Sequence, residues 1–254
     1  MTALRIAAIR LLCPDPAATA AFYAAAFGAT VASDGARLAL GAQTIELVPA
    51  SDPAAKFPPS NSTDFQHCAL VVSDMDAAYA HLCGMPSWTP ISRAGPERLP
   101  AASGGVSAFK FRDPDGHPLE LLAFPPDAVP PVWRGRSGLV LGIDHTAITV
   151  ADTERAVAFY VGLDFKVTSR SLNRGSEQAR LDAIDDPVVE VTSLTLPGGA
   201  PPHLELLCYR APGSILRNCP DGSPFATRIV LTGQTDRYDP DGHRIITDIL
   251  GPKI

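Results

Sequence analysis

The sequence predicts an α+β fold built from a repeated β-α-β-β-β unit, and three recurrences carry that prediction. The first is an apolar strand that ends in an aspartate, as in Arg10-Leu-Leu-Cys-Pro-Asp15, Ala69-Leu-Val-Val-Ser-Asp74 and Ala147-Ile-Thr-Val-Ala-Asp152. Each aspartate is placed to cap a following helix. The second is a closing apolar strand that holds one carboxylate: Ile45-Glu46-Leu47-Val48, Leu119-Glu120-Leu121-Leu122 and Leu204-Glu205-Leu206-Leu207. The third is the turn Asp113-Pro114-Asp115-Gly116-His117, which returns as Asp239-Pro240-Asp241-Gly242-His243. Proline fixes φ in such a turn and glycine accepts positive φ.

The elements follow in order. Unit 1 opens near residue 4, and its helix carries Phe22-Tyr23 seven and eight residues beyond Asp15. Unit 2 opens near residue 65 and has His81-Leu82 at those places, a looser copy. Unit 3 opens near residue 143 and restores the aromatic pair as Phe159-Tyr160. A fourth unit opens with Ala226-Thr-Arg-Ile-Val-Leu231, but only ten residues separate Arg228 from Tyr238, too few for the helix. This last unit is therefore expected to be truncated. Pro/Gly-rich stretches at 49–60, 124–138 and 211–224 read as linkers. They divide the chain into 1–126, with units 1 and 2, and 139–254, with unit 3 and the truncated unit 4.

Composition narrows the function classes. The 254 residues are 46% hydrophobic and 19% charged, which suits a chain with a sizeable core and argues against disorder. No apolar run approaches the roughly 18 residues of a membrane span, and Arg5 and Arg10 interrupt the first apolar stretch, so no signal peptide is expected. The net charge of −6 makes nucleic acid an unexpected partner. Five cysteines without C-x-x-C spacing suggest neither a disulfide framework nor a thiolate zinc site. The expectation is a cytoplasmic protein with a small-molecule substrate, a homodimer being left open.

With these motifs the sequence resembles the vicinal oxygen chelate superfamily, which includes glyoxalase I, extradiol dioxygenases, fosfomycin- and bleomycin-resistance proteins and methylmalonyl-CoA epimerase. The resemblance rests on the strand-Asp-helix opening, the Phe-Tyr pairs and the Asp-Pro-Asp-Gly-His turn before Leu-Glu-Leu-Leu. It implies that units pair into curled mixed sheets around a cleft, with metal ligands on the first and last strands of each paired unit. The first-strand position lies seven residues before the anchoring aspartate: His67, His145 and, in unit 1, Ala8, with Arg228 in the matching place of unit 4. The last-strand positions are Glu46, Glu120, Glu205 and Ile246.

Pairing decides the site. If unit 1 pairs with 2, one cleft holds Glu46, His67 and Glu120. If unit 2 pairs with 3, one cleft holds His67, Glu120, His145 and Glu205, while Ala8, Glu46, Arg228 and Ile246 share the other. We favour the second arrangement because it gathers every loss into one cleft. There Arg228 offers Glu46 a charge partner.

The four ligands would hold one divalent ion (Zn, Ni, Mn, Co or Fe), with Glu120 or Glu205 also moving protons, in lyase or isomerase chemistry on a small oxygenated substrate. The polar segment 171–180 reads as a loop or flap, in which Arg174 or Arg180 could clamp a substrate carboxylate. His203 is an alternative ligand on the strand of Glu205; His117 and His243 read as surface turn residues, and His81 as helix packing. Two other readings stand beside this one. The first is a metal-free binding protein of the bleomycin-resistance kind, its cleft lined by residues such as Phe65, Trp88 or Phe109. The second, ring cleavage by an extradiol-type dioxygenase, would ask for a His and a Glu in unit 4, where Arg228 and Ile246 stand.

Overall fold

The computed structural model describes residues 4–52, 56–226 and 228–248. Unit 1 comprises β1 (Ile6–Cys13), α1 (Pro16–Phe27), β2 (Thr30–Val31), β3 (Arg37–Leu40) and β4 (Gln43–Pro49). Unit 2 comprises β5 (Gln66–Val72), α2 (Met75–Cys83), β6 (Thr89–Pro90), β7 (Glu97–Arg98), β8 (Ser107–Arg112) and β9 (Pro118–Ala123). Unit 3 comprises β10 (Val140–Thr149), α3 (Thr153–Val161), β11 (Lys166–Arg174), α4 (Ser176–Asp182), β12 (Val188–Thr195) and β13 (His203–Ala211). After it come β14 (Arg228–Leu231), β15 (Arg237–Tyr238) and β16 (Arg244–Thr247), with no helix among the described residues of this segment. No helix of the described chain is long and apolar enough to cross a membrane.

The three aspartates cap their helices. Asp15 accepts from the amides of Ala17 and Ala18, Asp74 from Ala77 and Asp152 from Arg155. Each such cap stabilises its helix by about 1 kcal/mol.

The strands form two mixed sheets. One runs β15-β16-β14-β1-β4-β3-β2, and the other β11-β12-β13-β10-β5-β9-β8-β6 with β7 beside β8. Unit 1 thus shares a sheet with the truncated unit, and unit 2 with unit 3. One hydrophobic cluster joins them, drawing Ile9 and Leu38 from the first sheet, Leu70 and Leu206 from the second, and Tyr23 and Tyr160 from α1 and α3.

The Asp-Pro-Asp-Gly-His turns fasten one sheet to the other. His117 and His243 are buried, against the expectation of surface residues. His117 Nδ1 meets Asp113 Oδ2 at 2.8 Å and its Nε2 meets the Leu12 carbonyl at 2.9 Å, so both nitrogens donate. Tyr23 Oη donates to the same Asp113 at 3.1 Å. The second turn repeats the arrangement, with Tyr160 Oη on Asp239 at 3.1 Å and His243 Nε2 on the Thr149 carbonyl at 2.8 Å. The aromatic-pair tyrosines and the turn histidines are therefore parts of one polar clamp. Gly116 (φ 92°) completes the first turn where a Cβ would collide with the Phe57 ring.

Segment 171–180 is not a loop. It continues β11 to Arg174 and then forms α4. His81 is exposed on α2, with Nε2 3.0 Å from the Ala25 carbonyl, rather than packed inside.

Candidate metal centre

The middle of the nine-stranded sheet is the antiparallel pair β5–β10, flanked by β9 and β13 in parallel. Cys68 pairs with Thr146, and about that point the ladder is pseudo-twofold: His67 stands opposite Ala147, and His145 opposite Ala69. Ala69 in turn pairs with Glu120, and Ala147 with Glu205. Each alanine sits between a histidine of the other unit and a glutamate of its own. Alternate residues of a strand share a face, and His67, Glu120, His145 and Glu205 all line one cleft of about 380 Å³. Cys68, one residue on from His67, is buried in the core on the opposite face.

His67 Nε2 lies 2.8 Å from Glu120 Oε2, and His145 Nε2 lies 3.6 Å from Glu205 Oε2. The two imidazole rings are 5.6 Å apart. Donor atoms of His67, Glu120 and His145 fall within 4.8 Å of one another.

A bulge in β10 adds a residue to this site. Ile143 pairs with Leu70 and His145 with Ala69, which leaves Asp144 without a partner of its own and lets it line the cleft beside His145. Gly142 (φ 147°) permits the bend, since a Cβ there would strike the side chains of Gln43 and Trp133. Asp144 accepts from His145 Nδ1 and from Trp133 Nε1, each at 3.0 Å. A carboxylate only accepts, so Nδ1 carries the proton and Nε2 is left for the cleft.

The charges are strongly coupled. Burial opposes protonation of His145, but Glu205 and Asp144 outweigh it and push the imidazole up to about 9. Burial, reinforced by Lys110, pushes His67 down against the pull of Glu120. Burial works to raise both glutamates, yet both are held below the ordinary carboxylate value: Glu120 by His67 and Lys110, Glu205 by His145 and His203.

The side chains fit a divalent ion. Both ring nitrogens of His67 are buried without a hydrogen-bond partner, and Nε2 is not aligned to donate to Glu120 despite the short separation. Such an orphaned group costs about 1–3 kcal/mol, and an ion held by Nε2 and the Glu120 carboxylate side by side would relieve it at that nitrogen. Two imidazoles with two carboxylates form a donor set for first-row divalent metals.

The remaining candidates fall elsewhere. Arg174 is exposed and outside the cleft lining, while Arg180 is forked onto Glu97 at 2.6 and 2.8 Å. His203 lies beside the set, its Nε2 3.4 Å from Glu205 Oε1. Phe65 and Phe109 are fully buried, Trp88 packs on the core, and none of the three lines the cleft. In the other sheet Glu46 is bound by Arg10, with Nε and Nη2 both 2.8 Å from Oε2, not by Arg228 as expected. Arg228 donates to the carbonyls of Ala226 and Asp221. Cys13, Asp115 and His117 also cluster, but both His117 nitrogens are already engaged.

Sequence reasoning missed Asp144, Lys110 and Asp182. Asp144 was visible only as a neighbour of His145. Lys110 had a signal, a cation between Phe109 and Phe111 where alternation demands one face.

The sequence matches the Glyoxalase/Bleomycin resistance protein/Dioxygenase superfamily over residues 5–121 and 142–247, and the chain belongs to that family. Among solved structures it is similar to glyoxalase I from Zea mays, with 14% identity and a TM-score of 0.62 over 96% of this chain and 92% of that one. It is also similar to a putative dioxygenase from Bacillus subtilis, with 12% identity and a TM-score of 0.50 over 96% and 85%. No curated protein is matched by its sequence. At these identities the likeness is one of fold.

Proposed function

We propose that this chain is a metal-dependent enzyme acting on a small oxygenated organic substrate, in lyase or isomerase chemistry. The observation that carries the reading is the approach of His67, Glu120 and His145 donor atoms within 4.8 Å of one another, with Glu205 beside His145 and neither His67 nitrogen in an aligned hydrogen bond among the described residues. These four residues would hold a divalent ion, which supplies Lewis-acid polarisation of substrate oxygens. Asp144 orients His145 through Nδ1. Ser193 Oγ, 3.0 Å from Glu205 Oε1, braces that carboxylate. Glu120 and Glu205 occupy pseudo-equivalent places on either side of the β5–β10 pair. One can accept a proton from a bound substrate on its side while the other returns it on the opposite side, which is the requirement of an isomerase or lyase.

The ring-cleavage reading asked for a His and a Glu in unit 4; that unit lies in the other sheet, while the cleft shared by units 2 and 3 offers two His and two carboxylates, so ring cleavage stands as the second reading. The binding-protein reading loses Phe65, Trp88 and Phe109 from its lining and keeps only Phe124 as an aromatic among the described residues. The test is deuterium incorporation from solvent into a panel of α-hydroxyketones, thiohemiacetals and acyl thioesters. The expected result is exchange that depends on added divalent ion and is lost in Glu205→Gln. Exchange that persists after chelation would contradict the proposal.

A further inference from the structure

Lys110 is buried at 4% exposure, yet it stands on the cleft wall rather than in the core. Taking an ammonium out of water costs several kcal/mol unless it is paired, and its hydrogen-bond partner is Asp182 Oδ1 at 2.7 Å. Asp182 is itself buried, and its other oxygen accepts from Gln178 Nε2 at 2.6 Å and Tyr209 Oη at 2.9 Å. Both oxygens of that carboxylate are engaged. The ammonium has three N–H groups and, among the described residues, gives only one of them to a hydrogen bond.

Pseudo-symmetry shows what the lysine is not for. In unit 2 Lys110 pairs across the ladder with Glu120; in unit 3 the equivalent residue, Ser193, pairs with Glu205. Ser193 bonds its glutamate directly. Lys110 does not bond Glu120 but turns to Asp182, brought in by α4, while lining the cleft. The acidic groups that act on it are Asp182, Glu120 and Glu205. In the reading proposed above, the two glutamates are engaged by the divalent ion; Arg170 also lines the cleft but is forked onto Glu154, so the ammonium is the cleft cation left with donors for an incoming anion.

We infer that Lys110, braced by Asp182, receives a carboxylate of the substrate, so that the substrate carries an anionic group beside its metal-facing oxygens. This inference rests on the proposed function. It also accounts for a cleft without either candidate arginine, since Arg180 is engaged by Glu97 and Arg174 lies outside.

The test compares two chelating probes by calorimetry on metal-loaded protein: acetohydroxamate, and a hydroxamate carrying a carboxylate one or two carbons away. Wild type is expected to bind the carboxylated probe more tightly by roughly tenfold or more, the scale of a charge-assisted contact. Lys110→Gln keeps a hydrogen-bond donor for Asp182 and removes the charge; it should abolish that preference while metal content holds, with a melting temperature lowered because Asp182 loses its charge partner. Lys110→Met combined with Asp182→Asn, which removes the buried carboxylate along with the ammonium, gives the same readout if the glutamine variant fails to fold. Equal affinity of wild type for both probes, or a preference retained in either variant, overturns the inference. If wild type takes up no metal, the function reading fails separately. The carboxylated probe alone then decides: Lys110-dependent binding supports the inference and absence of binding overturns it.

Discussion

At His145 the two ring nitrogens play different parts, Nδ1 donating to Asp144 while Nε2 faces Glu205 across 3.6 Å. With the imidazole pushed up to about 9, the ion-free side chain is protonated at neutral pH. A metal ligand must be neutral, so metal uptake has to expel that proton. Calorimetry in buffers of different ionisation enthalpy should show about one proton released at pH 7, and apparent affinity should rise with pH until about 9 and then level. Uptake without proton release would contradict the assignment. The four candidate ligand positions were legible because each lies at a fixed offset within a repeated unit. Lys110, Asp182 and Asp144 were not. Lys110 departs from the equivalent Ser193, Asp182 arrives on α4, and Asp144 reaches the cleft only through a bulge.

Among the elements, the two Asp-Pro-Asp-Gly-His hairpins were visible as turns but not as clamps. Their partners, the Leu12 and Thr149 carbonyls, lie 105 and 94 residues away on the opposite sheet. Local turn chemistry carries no trace of them. Removing the hydroxyl from one clamp leaves Asp239 short of a donor, so Tyr160→Phe should lower stability by about 1 kcal/mol and the melting temperature by about 2–4 °C. Tyr23→Phe should match it, since the two networks are copies. An unchanged melting temperature in both variants would mean that these hydroxyls are not part of the fastening. β11 misled for a different reason. It is an edge strand, exposed along most of its length, and therefore lacks the apolar alternation that announces a strand.

Across the whole molecule, each half of the chain supplies strands to both sheets. The linker composition indicated where units end but not which units meet, because pairing is decided by contacts made after the chain has turned back on itself. Residues 1–126 alone would leave the edges of β1 and β5 open to water, and residues 139–254 those of β14 and β10. Neither half is expected to give a stable monomer or to bind an ion, and mixing the two should restore both properties, as size-exclusion chromatography and metal analysis would report. A folded, ion-binding half 1–126 would contradict this.

The central claim is that one divalent ion is held jointly by units 2 and 3, and metal stoichiometry across three proteins tests it most directly. The wild type should hold about one ion per chain; this is the reading that four convergent ligands support. His145→Ala should lose it, whereas Glu46→Ala, whose side chain is bound to Arg10 in the other sheet, should keep it. A Glu46→Ala protein stripped of metal, beside a His145→Ala protein that retains it, would contradict the account.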